Sequence, residues 1–162
     1  MASPRIGIGY DSHPLVASKK LVIGGAEVPF DKGLEGWSDG DVLTHAIANA
    51  LLGAAGMGDI GRHFPPGDPR YRDAPSLLLL KEVGERLKSA GWSVVNIDAT
   101  VVASAPRLAR FTAEMEQHLG EALGIGADLV SVKSATGNTL GFAGRGEGIA
   151  AQAVAMIEGS NR

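Results

Sequence analysis

Asp11 and His13 stand two residues apart at the end of an apolar opening segment that begins at Arg5. In extended chain such residues share a face, so a carboxylate and an imidazole can converge on one cation. Two ligands hold a metal poorly, and His45, flanked by Leu43 and Ile47, is the best third donor. An aspartate with two histidines suits zinc and leaves a fourth position open for substrate. The same residues also read as a turn aspartate beside a hydrogen-bonded histidine, with His45 as a satisfied core residue. His63, in a loop, and His118, beside Gln117 and Glu121, fit the ligand pattern less well.

Three other clusters could do chemistry. Ser38-Asp39-Gly40-Asp41 precedes the segment that carries His45. It reads either as a helix N-cap or, with the Trp37 and Ser38 amides, as an anion site at a helix start. Asp59-Ile60-Gly61 opens a loop running to Asp68, where Asp59 could accept hydrogen bonds from a polyol or cap a turn. Thr136–Gly148 is glycine-rich, so its amides can approach phosphates, and Arg145 adds a bidentate donor. It matches neither the P-loop nor the dinucleotide-binding fingerprint.

The elements that must position these residues follow from periodicity. Ile6 and Ile8 alternate with glycines, which suits a strand crowded by other backbone. Leu21–Ile23 and Glu27–Phe30 flank Gly24-Gly25, a hairpin signal. Residues 33–40 read as a loop. Val42, Leu43, Ala46, Ile47, Ala50, Leu51 and Ala54 recur at helical spacing, with Asp39 or Asp41 as cap and Gly56 as stop. Residues 58–74 lack periodicity, as functional loops often do. Ser76 opens a second helix closed by Gly91, and residues 92–103 read as a β-branched strand. Pro106 suits the first turn of a third helix that ends at Gly124. Leu129–Ser134 is strand-like, while residues 149–157 fit either a helix or a buried strand. The alternation makes the class α+β or α/β.

At 162 residues the chain is the size of one domain. It has no cysteine, which removes disulfides, thiolate nucleophiles and cysteine metal sites. Gly 23 is about twice the usual share, so many tight turns or close backbone approaches are expected. A net charge of −3 without a basic stripe argues against nucleic acid as a partner. The start, Met-Ala-Ser-Pro-Arg, lacks a signal-peptide apolar region, and no apolar run approaches a membrane span. The expectation is a cytoplasmic protein acting away from membranes.

Taken in order, Arg5-Ile-Gly-Ile-Gly-Tyr-Asp-Ser-His13, Ile23-Gly-Gly25, Ser38-Asp-Gly-Asp41 with His45, Gly58-Asp-Ile-Gly61, Phe64-Pro65 and Gly141-Phe-Ala-Gly-Arg-Gly-Glu-Gly148 span nearly the whole chain. Together they resemble the 2-C-methyl-D-erythritol 2,4-cyclodiphosphate synthase family of the non-mevalonate isoprenoid pathway. The resemblance implies one compact α+β domain: a four-stranded mixed sheet with helices on one face, with the last segment a strand. It implies a homotrimer with active sites between neighbouring subunits, acting on a small-molecule substrate. The implied reaction is intramolecular: the 2-phosphate of a cytidine diphosphate methylerythritol attacks the β-phosphate, expels CMP and closes a cyclic diphosphate. Positioning and charge neutralisation dominate such phosphoryl transfer, so no protein nucleophile is needed.

Residue by residue, the resemblance implies zinc at Asp11, His13 and His45, gripping the β-phosphate. It implies methylerythritol contacts at Asp59 and Gly61, and substrate contacts at Ser38, Phe64 and Asp68. The stretch Ala103–Ala109, with Ala105 and Pro106, resembles the cytosine loop, and Arg107 lies near the CDP phosphates. Thr136 matches a threonine that supports the transition state, Phe142 lines the site, and Arg145 matches a phosphate contact. Three departures stand out. Trp37 replaces a family histidine at the other transition-state position. Asn138 replaces the glutamate that binds a second ion, Mg or Mn, bridging the substrate phosphates. Pro66 replaces an aspartate. A zinc-dependent phosphoester hydrolase, which would need a general base near the metal, and a metal- and nucleotide-binding relative without turnover are the competing readings.

Overall fold

A computed structural model describes residues 3–159 of the chain; Met1 and Ala2 of the opening segment lie outside them. Backbone crowding decides where the first helix lies. On β1 (Arg5–Ala17), a Cβ added to Gly7 would stand 1.9 Å from the Ala50 carbonyl oxygen, and one added to Gly9 1.8 Å from that of Ala46. The backbone of α1 (Val42–Ala55) therefore presses directly onto the strand, as the glycine alternation predicts. Burial of α1 extends beyond the predicted stripe to Thr44, His45, Ala48 and Leu52, the pattern of a helix enclosed on nearly every side.

The hairpin of β2 (Leu21–Ile23) and β3 (Ala26–Val28) turns at Gly24 and Gly25, both left-handed at φ 56° and 73°. Their amides donate to the two oxygens of Asp41 at 2.8 Å each. The same carboxylate accepts from the Thr44 amide at 3.0 Å and the Thr44 hydroxyl at 2.7 Å, so Asp41 caps α1 and ties the hairpin to it. Burial and the neighbouring Asp39 charge push the Asp41 carboxyl up from its ordinary value, against these four donors.

Among the described residues the main sheet has five strands, which corrects the expected four; their order is β4 (Lys32–Leu34), β1, β7 (Gly148–Gly159), β5 (Trp92–Val102) and β6 (Val130–Ala135). The long ladder of β1 with β7 (Gly148–Gly159) ends at Pro14↔Gly148. Beyond it, Leu15–Ala17 pair with the added strand β4 (Lys32–Leu34), a three-residue piece that overlaps the start of the predicted loop. β5 (Trp92–Val102) pairs antiparallel with β7 and parallel with β6 (Val130–Ala135), so the sheet is mixed. The terminal segment is a strand, despite its alanines: Ala151, Ala153 and Ala155 are small enough to let α1 approach from the covered face.

Helices cover that one face. α3 (Ser76–Ser89) packs on α1, and α4 (Thr112–Leu123) packs on α3 and β6. Pro106 does not open α4; the helix starts six residues later, after a single turn at Ala109–Phe111 and behind the buried anchor Leu108. The aperiodic stretch 58–74 contains α2 (Ile60–His63), which Asp59 caps and whose first amide donates to Asn49 of α1 at 2.8 Å. A second short turn lies at Pro69–Tyr71, and α5 (Gly141–Gly144) sits in the glycine-rich loop. No helix among the described residues is long and apolar enough to cross a membrane.

Candidate metal centre

Asp11 and His13 project from one face of β1, and α1 brings His45 to meet them. Asp11 Oδ2 stands 2.7 Å from His13 Nε2 and 2.9 Å from His45 Nδ1, and the two ring nitrogens are 3.2 Å apart. Burial alone would raise the Asp11 carboxyl, yet hydrogen bonds and charge from the two imidazoles bring it down to about 2. Burial would lower His13, but the bond to Asp11 and its charge outweigh that and raise it above its ordinary value.

The remaining ring nitrogens orient both imidazoles. His13 Nδ1 donates to the Glu35 carbonyl at 2.6 Å, so Nε2, which bonds Asp11 here, is the nitrogen that a bound metal would take. His45 Nε2 faces the hydroxyls of Ser76 at 2.7 Å and Ser38 at 3.0 Å, which turns Nδ1 toward Asp11 and His13. Two ring nitrogens and a carboxylate oxygen thus point at one place, a donor set that fits zinc. His63 and His118 stand apart: His63 Nε2 bonds the Met57 carbonyl, and His118 Nδ1 is buried without a partner among the described residues.

Of the two readings of the start of α1, the structure supports the N-cap. Asp41 fills that position with its own fully buried carboxylate, which would repel a phosphate. Asp39 does not cap α1 either; its carboxylate accepts from the Ser76 amide at 2.9 Å and from the Ser76 hydroxyl. Ser38 is buried, and its hydroxyl lies between His45 and Ser76. Gly40 is required between the two aspartates: its φ is 74°, and a Cβ would meet the Leu34 carbonyl oxygen at 2.5 Å.

A cavity of about 220 Å³ opens at the three donors, with Trp37, Gly61, Phe64, Pro66 and Tyr71 among its walls. Among the described residues, no carboxylate beyond Asp11 lines it to serve as the general base that a hydrolase needs. Trp37 acts as a structural tie here: its indole donates to the Asp68 carbonyl at 2.9 Å, and the Arg72 guanidinium stacks 4.8 Å from its ring. The Asp68 carboxylate is held by Arg70 outside the cavity, and that of Asp59 caps α2.

The other predicted residues gather elsewhere on this chain. Ala103, Pro106, Arg107 and Thr136 line a separate cleft of about 340 Å³ at the ends of β5 and β6. Ala105 and Asn138 lie outside its walls. Phe142 faces Ser12 and His13 across a third recess of about 270 Å³, while Arg145 pairs with Glu147 in the open. Sequence reasoning missed Tyr71, Leu79 and Ser76. Tyr71 and Leu79 look like ordinary packing residues in sequence. Ser76 carried a signal: it follows Pro75, which offers α3 no capping side chain, so a cap had to come from elsewhere.

Comparison with known proteins bears on this geometry. The YgbB family model matches residues 4–158. A 2-C-methyl-D-erythritol 2,4-cyclodiphosphate synthase from Moorella thermoacetica is 56% identical over 153 residues, 94% of each chain. Among solved structures, the bifunctional IspDF from Campylobacter jejuni superposes at a TM-score of 0.95 and 34% identity over 99% of this chain. This chain spans 44% of that protein's length. IspF from Plasmodium falciparum, solved as a CDP complex, matches at a TM-score of 0.86 and 27% identity over 99% of both chains.

Proposed function

The chain belongs to the YgbB family, and on that premise we propose that it is a phosphorus–oxygen lyase closing a cyclic diphosphate. It converts 4-diphosphocytidyl-2-C-methyl-D-erythritol 2-phosphate into 2-C-methyl-D-erythritol 2,4-cyclodiphosphate and CMP. An oxygen of the 2-phosphate bonds to the β-phosphorus as the bond from that phosphorus to the bridging oxygen breaks, and the electron pair leaves with CMP. The convergence of Asp11, His13 and His45 at the mouth of a cavity carries this reading. Asp11, His13 and His45 would hold a divalent metal there, which would supply charge neutralisation to the reacting phosphates.

The chain's own residues position the two reacting groups. Gly61 and the α2 segment border the cavity where the methylerythritol would lie, beside the apolar walls Phe64 and Tyr71. The Ala103–Ala109 loop offers backbone groups to a cytosine, with Arg107 toward the CDP phosphates and Thr136 at the cleft edge. Because the reaction is intramolecular, holding the chain bent between these two regions supplies most of the rate.

We infer that a homotrimer brings a cytosine cleft of one subunit to the metal cavity of the next. What supports this is the face of the sheet opposite the helices. Ile6, Ile8 and Tyr10 are 67%, 70% and 52% exposed, and Val154, the partner of Ile8 in register, is 45% exposed. Contiguous apolar surface of that kind on a sheet marks an association face. Incubation with the substrate and analysis of the products tests the reaction: CMP together with the cyclic diphosphate is expected. CMP with an uncyclised bisphosphate would instead establish a hydrolase.

A further inference from the structure

We propose that Asp39, acting through Ser76, is a positioning residue that sets the tautomer of His45 and so the affinity of the metal centre. The inference rests on the metal-site reading above and names residues outside the ligand set.

His45 can serve as a ligand only with its proton on Nε2, because Nδ1 is the atom facing Asp11 and His13. Hydroxyls do not enforce that choice, since each can donate or accept. Ser76 Oγ lies 2.7 Å from His45 Nε2, and a serine proton pointing at that nitrogen would favour the opposite tautomer, with Nδ1 protonated and unable to bind. Asp39 removes the ambiguity. Its Oδ1 is hydrogen-bonded to Ser76 Oγ, and an ionised carboxylate only accepts, so the serine proton goes to Asp39. The serine lone pairs are then turned to His45, which must donate from Nε2. Ser38 Oγ, 3.0 Å from the same nitrogen and 3.3 Å from Ser76 Oγ, closes the buried network.

The carboxylate is itself held in place. Asp39 Oδ2 accepts from the Ser76 amide at 2.9 Å, supplying α3 with the cap its own Pro75 lacks, and Oδ1 accepts from the Asp41 amide at 3.0 Å. Ser38 and Ser76 are buried, so water does not compete for these bonds. One aspartate thus joins the start of α3 to a ligand on α1, and the two aspartates of Ser38-Asp-Gly-Asp41 have different work: Asp41 serves its own helix, Asp39 the metal ligand.

The test compares Asp39→Asn and Ser76→Ala with the native chain, measuring zinc affinity by chelator competition, thermal stability without metal, and the ¹⁵N resonances of the His45 ring. Ser76→Ala keeps the amide that Asp39 caps, so it cuts the relay without uncapping α3. Both variants should bind zinc about 10- to 100-fold more weakly. In metal-free protein the His45 Nε2 signal should lose protonated character in both variants, while Nδ1 stays hydrogen-bonded to Asp11. Should Ser76→Ala fail to fold, the isosteric Asp39→Asn decides alone. Zinc affinity within threefold of native, or an unchanged ring signature, overturns the proposal. A native chain that binds no zinc, or a His45→Ala variant binding as tightly as native, fails the metal-site reading itself and the proposal with it.

Discussion

The metal corner and the cytosine corner of the proposed site are built in opposite ways. At the first, side chains from β1 and α1 converge in a wall of buried serines and apolar residues, and every polar atom of the two imidazoles has a partner within the chain. At the second, Ser104, Arg107 and Thr136 are exposed, and the cleft they border lies apart from the metal cavity. Enclosure lets a single subunit preorganise its charges in a region of low dielectric. An open cleft of polar backbone is instead suited to being completed by something else. The comparison teaches that metal binding should survive in a lone subunit, while nucleotide positioning should not.

The largest effect should come from removing His45. His45→Ala should lose its zinc by metal analysis and lower turnover by about 10³-fold or more. If the two corners are independent, CDP should still bind to this variant with nearly native affinity, measured by calorimetry. One zinc per subunit retained in His45→Ala would remove His45 from the ligand set.

Next in size is the contact that makes the metal corner possible. Gly9→Ala would drive a methyl into the Ala46 carbonyl, forcing β1 away from α1 and parting Asp11 and His13 from His45. Overpacking of this kind costs about 3 kcal/mol, or roughly 10 °C in melting temperature for a domain of this size. Zinc affinity should fall with it. A Gly9→Ala variant that melts as the native protein does would mean that the strand and helix are less closely coupled than their backbones indicate.

The converse test acts on the open sheet face. Ile8→Lys changes a side chain that is mostly exposed within one chain, so the subunit should fold and keep its zinc. Burying repeated lysines at a shared interface is unfavourable, so light scattering should return a monomer. Turnover should drop about 10²-fold, the usual consequence of misplacing bound groups. A native chain that is already monomeric and fully active at micromolar concentration would end the account of sites shared between subunits.

Much of the metal corner was legible in sequence, because its signals are local: period-two glycines, an Asp-x-His in extended chain, a histidine on helical spacing. What was not legible depends on contacts between distant segments. The fifth strand has three residues, one of them glycine, and exists because β1 outlasts its partner β7 at Pro14. The cap of α3 comes from Asp39, thirty-seven positions earlier, so no reading of the helix alone could find it. Pro106 obeyed a good rule for helix starts, yet the chain first buries Leu108 and makes a separate turn before α4 begins. Trp37, which replaces a family histidine by resemblance, has a role no local pattern shows: its indole secures the segment that walls the metal cavity.

The smallest expected effect concerns a second ion at the open corner. Joining two phosphates crowds negative oxygens whose repulsion must be offset as the ring closes. Asn138 stands where the family resemblance places a glutamate, and its backbone is left-handed at φ 50° and ψ 43°. Thr139 follows at φ 62°, between Gly137 at 76° and Gly141 at 66°. Asparagine tolerates that region better than glutamate, which gives the substitution a conformational reason in this chain. We expect a Mg-type ion here to be held mainly by substrate phosphates and water, as such ions often are. Asn138→Glu adds a charged ligand but strains the turn by about 1 kcal/mol, so the two effects nearly offset. The net result should be a leftward shift of roughly threefold in the Mg dependence of CMP release by zinc-loaded protein, or about 0.7 kcal/mol. Full native turnover with zinc alone, or a Mg titration unmoved by Asn138→Glu, would remove the second ion from this loop and leave charge neutralisation to the buried corner.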